Sequence, residues 1–209
     1  MCSFNLTQNL AKIQINLSKK IIMEDCFKDI KMIAGVDISF TRNNCAIAAA
    51  VVIDYDTLSV LEEQFLKVDL LFPYISGFLG FREADGVFSV LKMVENDFDI
   101  LMVNGHGIMH PRSFGLASHV GLFMDIPTIG IAKGLIGSKY KIFDNSFKSI
   151  ELNDITVGVC DRQKCVSIGH KISLKTAIKI VQQTSVFKMP EPIRKAHILA
   201  TNEMKSRIS

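Results

Sequence analysis

Three charged residues of the chain occupy positions suited to phosphodiester chemistry. Asp37 interrupts an apolar, strand-like segment, AGVDISF, and Glu83 comes at the start of a predicted helix in GFREADG. A buried carboxylate needs a partner or a metal ion, because burying an unpaired charge is expensive. Lys133 closes another apolar strand, IPTIGIAK, where an ammonium group beside acids can stabilise phosphate charge in a transition state.

Each of these residues also has an ordinary structural explanation. Turn amides can satisfy an aspartate at the end of a strand, and a lysine that closes a strand can simply reach water. An acid in the first turn of a helix complements the helix dipole, which would account for Glu83. The three residues together are therefore stronger evidence for a catalytic site than any one of them alone.

The segment VNGHGIMHPRSFG, residues 103–115, is more specific. Gly105 and Gly107 would let the backbone approach a ligand closely. His110 and Arg112, just ahead of a predicted helix, form a natural phosphate site. A structural loop with an Asn-Gly turn is the alternative, and it does not explain the density of histidine and arginine.

Two further residues have weaker signals. His170 lies in SIGHKISL, before a helix whose predicted N-cap is Ser173, and a lone histidine is usually a structural hydrogen-bonding residue. Tyr74, in FPYISG, can stack on bases or wedge into a duplex, or it can pack on its own loop. Acids, lysine and histidines at strand ends beside a glycine-rich loop suit metal-assisted phosphodiester cleavage, in which cations stabilise the attacking and leaving oxygens.

The elements that would position these residues form one α/β domain. Short connections at Arg42-Asn43-Asn44 and at Asp56-Thr57 predict that the first three strands form an antiparallel meander. A helix between two apolar strands predicts a right-handed βαβ unit with parallel pairing. The predicted elements are helices over 1–29, 81–96, 112–125, 173–187 and 191–207, and strands over 31–40, 45–54, 59–70, 99–105, 126–133, 155–160 and 164–168.

Composition and charge narrow the class of protein. The chain has 209 residues, of which 48% are apolar and 22% charged, as in ordinary globular domains and unlike disordered or fibrous chains. Residues 1–133 carry 11 basic against 15 acidic side chains, whereas residues 134–209 carry 13 against 6. This asymmetry suggests an anionic partner on the C-terminal side, although solvated surface lysines explain it equally well.

Cysteine usage and hydropathy predict a soluble cytoplasmic protein. The five cysteines are an odd number without a CxxC pair, which indicates reduced thiols. The N-terminus lacks the pattern of a signal peptide. The longest apolar run, Cys45 to Ile53, falls short of the about 20 residues that cross a bilayer.

Five blocks of the sequence resemble the endonuclease V family of deoxyinosine 3′ endonucleases. AGVDISF, PYISGFLGFRE, GHGIMHPRSFGLASHVG, PTIGIAK and SIGHKISLKTA occur in that family's order and spacing, from about residue 31 to about residue 195. The resemblance implies an RNase H-like α/β fold. This fold is a mixed five-stranded sheet with antiparallel first three strands, a parallel remainder, flanking helices and a C-terminal α/β extension.

The resemblance also implies an activity. It implies cleavage of the second phosphodiester bond 3′ to inosine in DNA repair, with Mg²⁺ as cofactor or Mn²⁺ as its substitute. The partner would be inosine-containing DNA, or RNA, and the protein would be a monomer that does not act on membranes. Transferred by motif position, Asp37 is the central metal-binding carboxylate and Glu83 the second acid. Lys133 stabilises phosphate charge or positions water, and His110 and His170 line the site.

The family's wedge loop maps to PYISG. Tyr74 would stand at its tip, beside the pocket for the flipped base, and Ser76 replaces the usual proline. The nucleic-acid-binding residues predicted in this way are Pro73, Tyr74, Ile75, Ser76, Gly77, Gly105, Gly107 and Arg112.

Asn104 departs from the family pattern, which has an aspartate that binds the metal at this position. The predicted ligands are therefore Asp37, Asn104 and Glu83. Asparagine keeps the shape and one carbonyl oxygen but loses the negative charge, and Mg²⁺ prefers carboxylates with water and phosphate oxygens. The chain could be an engineered variant that traps substrate, a natural member with impaired chemistry, or one that tolerates asparagine at a higher metal concentration.

Three functions are compatible with these features. The leading prediction is a metal-dependent, inosine-directed endonuclease that flips the base at an unstacking cost of about a few kcal/mol. The alternatives are a protein that binds deaminated nucleic acid without cutting it, and an RNase H-like nuclease without base preference. The effect of Asn104 on cleavage distinguishes the first function from the second. Equal cutting of inosine-containing and control strands would indicate the third.

Overall fold

A mixed sheet of nine strands runs through the described part of the chain, with helices on both faces. The computed structural model describes residues 2–40, 45–137, 140–144 and 148–206. Its elements are α1 (Cys2–Ser18), β1 (Met32–Phe40), β2 (Cys45–Asp54), β3 (Val60–Asp69), α2 (Leu79–Leu91), β4 (Ile100–Asn104), α3 (Leu116–Met124), β5 (Thr128–Ala132), β6 (Lys141–Asp144), β7 (Lys148–Leu152), β8 (Ile155–Cys160), β9 (Cys165–His170), α4 (Leu174–Thr184) and α5 (Glu191–Ser206).

The strand order is β3-β2-β1-β4-β5-β9-β8-β7-β6. β1, β2 and β3 pair in antiparallel fashion and β4 pairs with β5 in parallel, both as predicted. β4 also pairs in parallel with β1, which joins the two groups of strands. The sheet is wider than the five strands expected, and it does not end in a parallel remainder. β9 pairs with β5 in antiparallel fashion, so the C-terminal extension continues the same sheet. All six residues of β9 are buried, and this pairing covers an edge that β5 would otherwise expose.

The two faces of the sheet bury different side chains because successive residues of a strand point to opposite sides. Ala34, Val36 and Leu101 pack under α2 and α3. Ile33 and Ile100 pack on the other side, in the cluster that α4 and α5 cover. The long apolar runs of β1, β2, β4 and β5 therefore have the pattern of strands buried on both faces, which the sequence predicts for β4 and β5.

The predicted helix over 1–29 is wrong beyond Ser18. The backbone N–H of Ile22 donates to His170 Nδ1 at 3.3 Å, and the backbone N–H of Lys171 donates to Ile22 O at 2.7 Å. Cys26 N donates in turn to Lys171 O at 3.2 Å. These tertiary hydrogen bonds replace helical ones, which periodicity alone does not reveal.

The short connections have different outcomes. The turn at Asp56-Thr57 is confirmed, and the Asp54 carboxylate accepts from the Thr57 backbone N–H at 2.8 Å. The predicted turn at Arg42-Asn43-Asn44 lies outside the described residues. Ser173 caps α4 as predicted, because its hydroxyl oxygen accepts from the Thr176 backbone N–H at 3.3 Å.

The cysteines do not all remain thiols. Cys160 and Cys165 face each other at the end of the β8–β9 hairpin and form a disulfide, with Cα atoms 4.0 Å apart. The prediction of five reduced thiols considered metal-ligand spacing and missed that a hairpin places these two residues opposite each other. Cys26 and Cys45 are thiols. Across the described ranges, no helix has the length and apolar character needed to cross a membrane.

Candidate active site

Three neighbouring parallel strands bring Asp37, Asn104 and Lys133 to one edge of the sheet. Val36 of β1 lies opposite Val103 of β4, so the next residue of each strand shares that edge. Lys133 directly follows β5, and it lines the same groove as Asp37 and Asn104. Asn104 Nδ2 donates a hydrogen bond to Asp37 Oδ1 at 2.6 Å.

Glu83 reaches the same place from α2. It lies beyond the first turn of that helix and is only 6% exposed, so it is not a surface acid that complements the helix dipole. Burial and, second to it, the negative charge of Asp37 raise the pKa of Glu83 to about 8, although the charge of Arg82 acts in the opposite direction. Two carboxylates thus stand close together in a poorly solvated position, where a cation would relieve their repulsion.

His197 completes this set, and the sequence analysis missed it. Its Nδ1 lies 2.6 Å from Asp37 Oδ2. This hydrogen bond raises the pKa of His197, while partial burial and the charge of Lys133 act against the rise. Both carboxylate oxygens of Asp37 are therefore hydrogen-bonded. We call Asp37, Glu83, Asn104, Lys133 and His197 the strand-end site.

Close packing of α5 on β1 positions His197. A Cβ atom on Gly35 would lie 2.3 Å from the carbonyl carbon of Pro192, so only glycine lets the helix approach this closely. Ala196 and Ala200, both fully buried, continue the same close contact along α5. Two features of the sequence could have indicated that α5 packs here and brings His197 to the site. They are this glycine within an apolar strand and these small residues on one face of α5.

Four residues of the strand-end site, Asp37, Asn104, Lys133 and His197, line a groove of about 480 Å³ together with Phe40, Thr201 and Lys205. Glu83 is buried and does not line this groove. The donor set fits Mg²⁺, which typically takes one or two carboxylates and completes its shell with water and phosphate oxygens. Among the described residues, no three or more His, Cys, Asp or Glu side chains are grouped closely enough to hold a metal ion. Asn104 turns its NH₂ group toward Asp37, so its amide would have to rotate to offer oxygen to a cation.

The Pro73–Gly77 segment has the exposure expected of a wedge loop. Tyr74 is 69% exposed, and Pro73 and Ser76 are exposed as well, whereas Ile75 is half-buried. Gly77, at the end of the loop, is buried with φ +80°, a conformation that favours glycine. The loop is thus anchored at one end, with its aromatic residue in solvent.

His110 and Arg112 hold this loop and do not reach the strand-end site. The backbone N–H of Arg112 donates to His110 Nδ1 at 3.2 Å, which leaves Nε2 to donate to Gly77 O at 3.0 Å. Burial lowers the pKa of His110 to about 3, with the charge of Arg112 as a second cause. Arg112 Nη2 donates to the same Gly77 oxygen at 2.5 Å, and its guanidinium lies 4.4 Å from the centre of the Phe78 ring. These groups serve protein contacts in place of the phosphate site that we predicted.

Gly105 and Gly107 approach protein atoms, whereas we expected them to approach a ligand. A Cβ atom on Gly107 would lie 1.8 Å from Ile168 O, and one on Gly105 would lie 3.1 Å from Leu116 Cβ. The glycines therefore let the loop after β4 pack against β9 and α3.

His170 is separated from the strand-end site. It pairs with Thr128 at the start of β5, whereas Lys133 follows the end of that strand. Its Nδ1 accepts from the backbone of Ile22, and its Nε2 lies 3.7 Å from Asp125 Oδ1. Burial lowers its pKa. The side chain organises the segment after α1, which is the structural role weighed above.

Paired carboxylates with a lysine, an imidazole and an open groove, at the ends of parallel strands, form a site of the kind used by metal-dependent nucleases. A sequence profile of the endonuclease V family matches residues 15–198. Endonuclease V from Dictyoglomus thermophilum is 39% identical over 211 residues, which cover 96% of this chain and 92% of that protein. The chain belongs to the endonuclease V family.

Solved structures support the same conclusion. The catalytic domain of human endonuclease V matches with a TM-score of 0.87 at 27% identity, covering 97% of both chains. Endonuclease V from Ciona intestinalis, solved in complex with a 24mer DNA containing an inosine followed by a ribo-adenosine, matches with a TM-score of 0.83 at 26% identity. The match covers 97% of this chain and 98% of that one. The predicted α/β fold class is confirmed, and so is membership of this family of deoxyinosine 3′ endonucleases.

Proposed function

We propose that this chain cleaves inosine-containing DNA at the strand-end site with a divalent cation, and that Asn104 raises the metal concentration required. Asp37, Glu83 and the Asn104 amide oxygen would hold Mg²⁺, or Mn²⁺ in its place. The observation that carries the proposal is the 2.6 Å hydrogen bond from Asn104 Nδ2 to Asp37 Oδ1, beside the buried Glu83. A family aspartate would have no hydrogen to donate there, so it would leave Asp37 available to a cation.

The bound cation would neutralise phosphate charge and activate the attacking water. The side chains of the chain prepare the site for that chemistry. Lys133 presents its ammonium group to the phosphate beside Asp37, and Glu83 must lose its proton to act as a carboxylate ligand. His197 Nδ1 shares a proton with Asp37 Oδ2, so it can hold a proton beside the reacting groups.

The test compares the chain with Asn104→Asp on an inosine-containing oligonucleotide, titrated with Mg²⁺ and with Mn²⁺. A unit charge about 4 Å from another is worth about 4 kcal/mol at an effective dielectric constant near 20. In full, that energy corresponds to about a thousandfold in affinity. Repulsion between the neighbouring carboxylates and the cost of burying the new charge offset part of it, so we expect Asn104→Asp to lower the half-saturating metal concentration by at least about tenfold. Asn153→Asp, in the exposed β7–β8 turn, adds the same charge outside the groove and should change nothing.

A second candidate function rests on the same hydrogen bond. Asn104 satisfies Asp37 without a cation, so the site is compatible with a protein that binds inosine and does not cut. Tight, inosine-selective binding without cleavage in either metal would favour this reading and contradict the enzyme for this sequence. Cleavage restored by Asn104→Asp would then identify the cause. Equal cutting of inosine-containing and control strands would instead indicate a nuclease without base preference.

The partner and the surface it meets are part of the proposal. The chain would act as a single-domain monomer on DNA, or on RNA, and the basic segment 134–209 would supply contacts to the nucleic-acid backbone. Such contacts release counterions, so binding should fall steeply with salt. If the binding affinity does not change with salt concentration, these lysines are ordinary solvated surface residues.

A further inference from the structure

The single fully buried side chain within the described residues 5–18 of α1 is polar. Gln14 is 2% exposed, whereas its apolar neighbours Ile13 and Ile15 are 43% and 46% exposed. An amphipathic helix normally buries its apolar residues, whereas these two isoleucines are exposed to solvent. The helix thus places an amide where a leucine or isoleucine would ordinarily lie.

The amide of Gln14 is fully used by hydrogen bonds. Its Nε2 donates to Gly77 O at 3.1 Å and to Phe114 O at 2.9 Å, and its Oε1 accepts from Arg112 Nε at 2.6 Å. Burying an amide is costly unless such bonds compensate for the lost water. The side chain therefore connects the end of the wedge loop with the loop that precedes α3.

These two loops frame a small cavity. Gly77 and Gly80 line one side of it, and His106, His110 and Leu116 line the other. The cavity holds about 10 Å³, which is room for about one water molecule. A purine base can enter only if the loops separate, and separation stretches the bonds of Gln14.

We infer that Gln14 is a positioning residue that sets the gap between the two loops and thereby the selectivity for the flipped base. This inference rests on the proposed function, because it assigns the cavity to the base. Stretching these bonds costs the same for either base, so that cost alone does not change selectivity, which is a difference of affinities. Gln14 instead limits how far the two loops move apart, so the groups that line the cavity keep the geometry in which they distinguish one purine from another. Without the amide, the loops move independently and the contacts that distinguish the two bases lose that fixed geometry.

The experiment measures base selectivity without catalysis. Fluorescence anisotropy in EDTA gives the dissociation constants for a labelled single strand containing one inosine and for the same strand containing adenine. We expect Gln14→Ala to lower the ratio of the adenine dissociation constant to the inosine dissociation constant by about tenfold, since the three hydrogen bonds of Gln14 are lost. Gln8→Ala removes an exposed glutamine of the same helix and should leave the ratio unchanged.

Gln14→Glu separates positioning from folding. It retains an oxygen for Arg112 but turns an acceptor toward the carbonyl oxygens of Gly77 and Phe114, so it should also lower the ratio. If Gln14 only stabilised the fold, its replacement would raise both dissociation constants by the same factor and leave their ratio unchanged. Circular dichroism and thermal unfolding show whether α1 and the sheet persist in each variant.

The outcomes distinguish the inference from the function beneath it. An unchanged ratio in Gln14→Ala or in folded Gln14→Glu overturns the inference and leaves the proposed function standing. Equal binding of the two strands by the unmodified chain overturns the proposed function and the inference with it. A ratio that falls in both Gln14 variants and not in Gln8→Ala supports the inference.

Discussion

Gly35→Ala tests whether the contact between β1 and α5 positions His197 in the strand-end site. The added Cβ atom would lie 2.3, 2.4 and 2.6 Å from the carbonyl carbon, oxygen and Cβ of Pro192, against an ordinary contact of 3.4–4 Å. Two of these atoms are backbone, so no side-chain rotation relieves the clash. The helix must move away from the strand by about 1 Å, at a cost of about 1–3 kcal/mol in the free energy of unfolding.

The same movement breaks the hydrogen bond of His197. Its Nδ1 lies 2.6 Å from Asp37 Oδ2, and a shift of about 1 Å takes that distance beyond hydrogen-bonding range. A misplacement of this size costs about 10²-fold in catalytic rate. The pKa of His197, raised chiefly by Asp37, should fall toward the ordinary histidine value.

Three measurements together check this prediction. Urea denaturation gives the loss of stability, NMR titration of the imidazole gives the pKa of His197, and strand cleavage gives the rate, in the Asn104→Asp background if that variant is more active. Gly134→Ala is the matched control, because a Cβ atom there would meet nothing within 4 Å although the residue adjoins Lys133. A Gly35→Ala protein with unchanged stability and an unshifted His197 pKa would refute the reasoning.

Three further predictions concern other parts of the site. Asp37→Ala should abolish cleavage and leave binding of an inosine-containing strand largely intact, and persistent cleavage would exclude the proposed metal centre. Tyr74→Ala should weaken inosine discrimination in duplex more than in single strands, and an equal loss on both substrates would argue against a wedge. Burial lowers the pKa of His110 to about 3 from 6.5 in the unfolded chain, so unfolding takes up a proton between these pH values. Stability should therefore be full above about pH 6.5 and decline by up to about 1.4 kcal/mol per unit toward pH 3, a slope that His110→Gln should reduce in acid denaturation.

The local pattern of apolar and turn residues was sufficient to predict most strands of the sheet. Apolar runs and turn residues placed β1, β2 and β4 within one or two residues of their ends, since strands buried on both faces need continuous apolar sequence. β6 and β7 were missed because they are short, with four and five residues, and neither contains a continuous apolar run. Periodicity also extended α1 too far, because the hydrogen bonds that end it involve residues near position 170.

The site was predictable to the extent that strand ends determine it. Asp37, Asn104 and Lys133 meet because β1, β4 and β5 are parallel neighbours. The βαβ pattern predicts the pairing of β4 with β5, whereas the pairing of β1 with β4 is a finding of the structure. His197 and Gln14 were not predicted, since each acts through a helix whose position depends on contacts far away in sequence. The resemblance to the family identified the motifs and their order, but it did not identify these two side chains.

The order of the chain has a consequence for biosynthesis. Both cavities take a necessary side chain from a terminal helix: Gln14 from α1, the first described element, and His197 from α5, the last. A ribosome-bound chain can pair β1 with β2 while Asp37 still lacks its imidazole partner. The nascent chain thus cannot present a complete strand-end site to nucleic acid until α5 has emerged and docked. Proteolytic loss of α5 would likewise inactivate the strand-end site, even in a fragment that retains every strand.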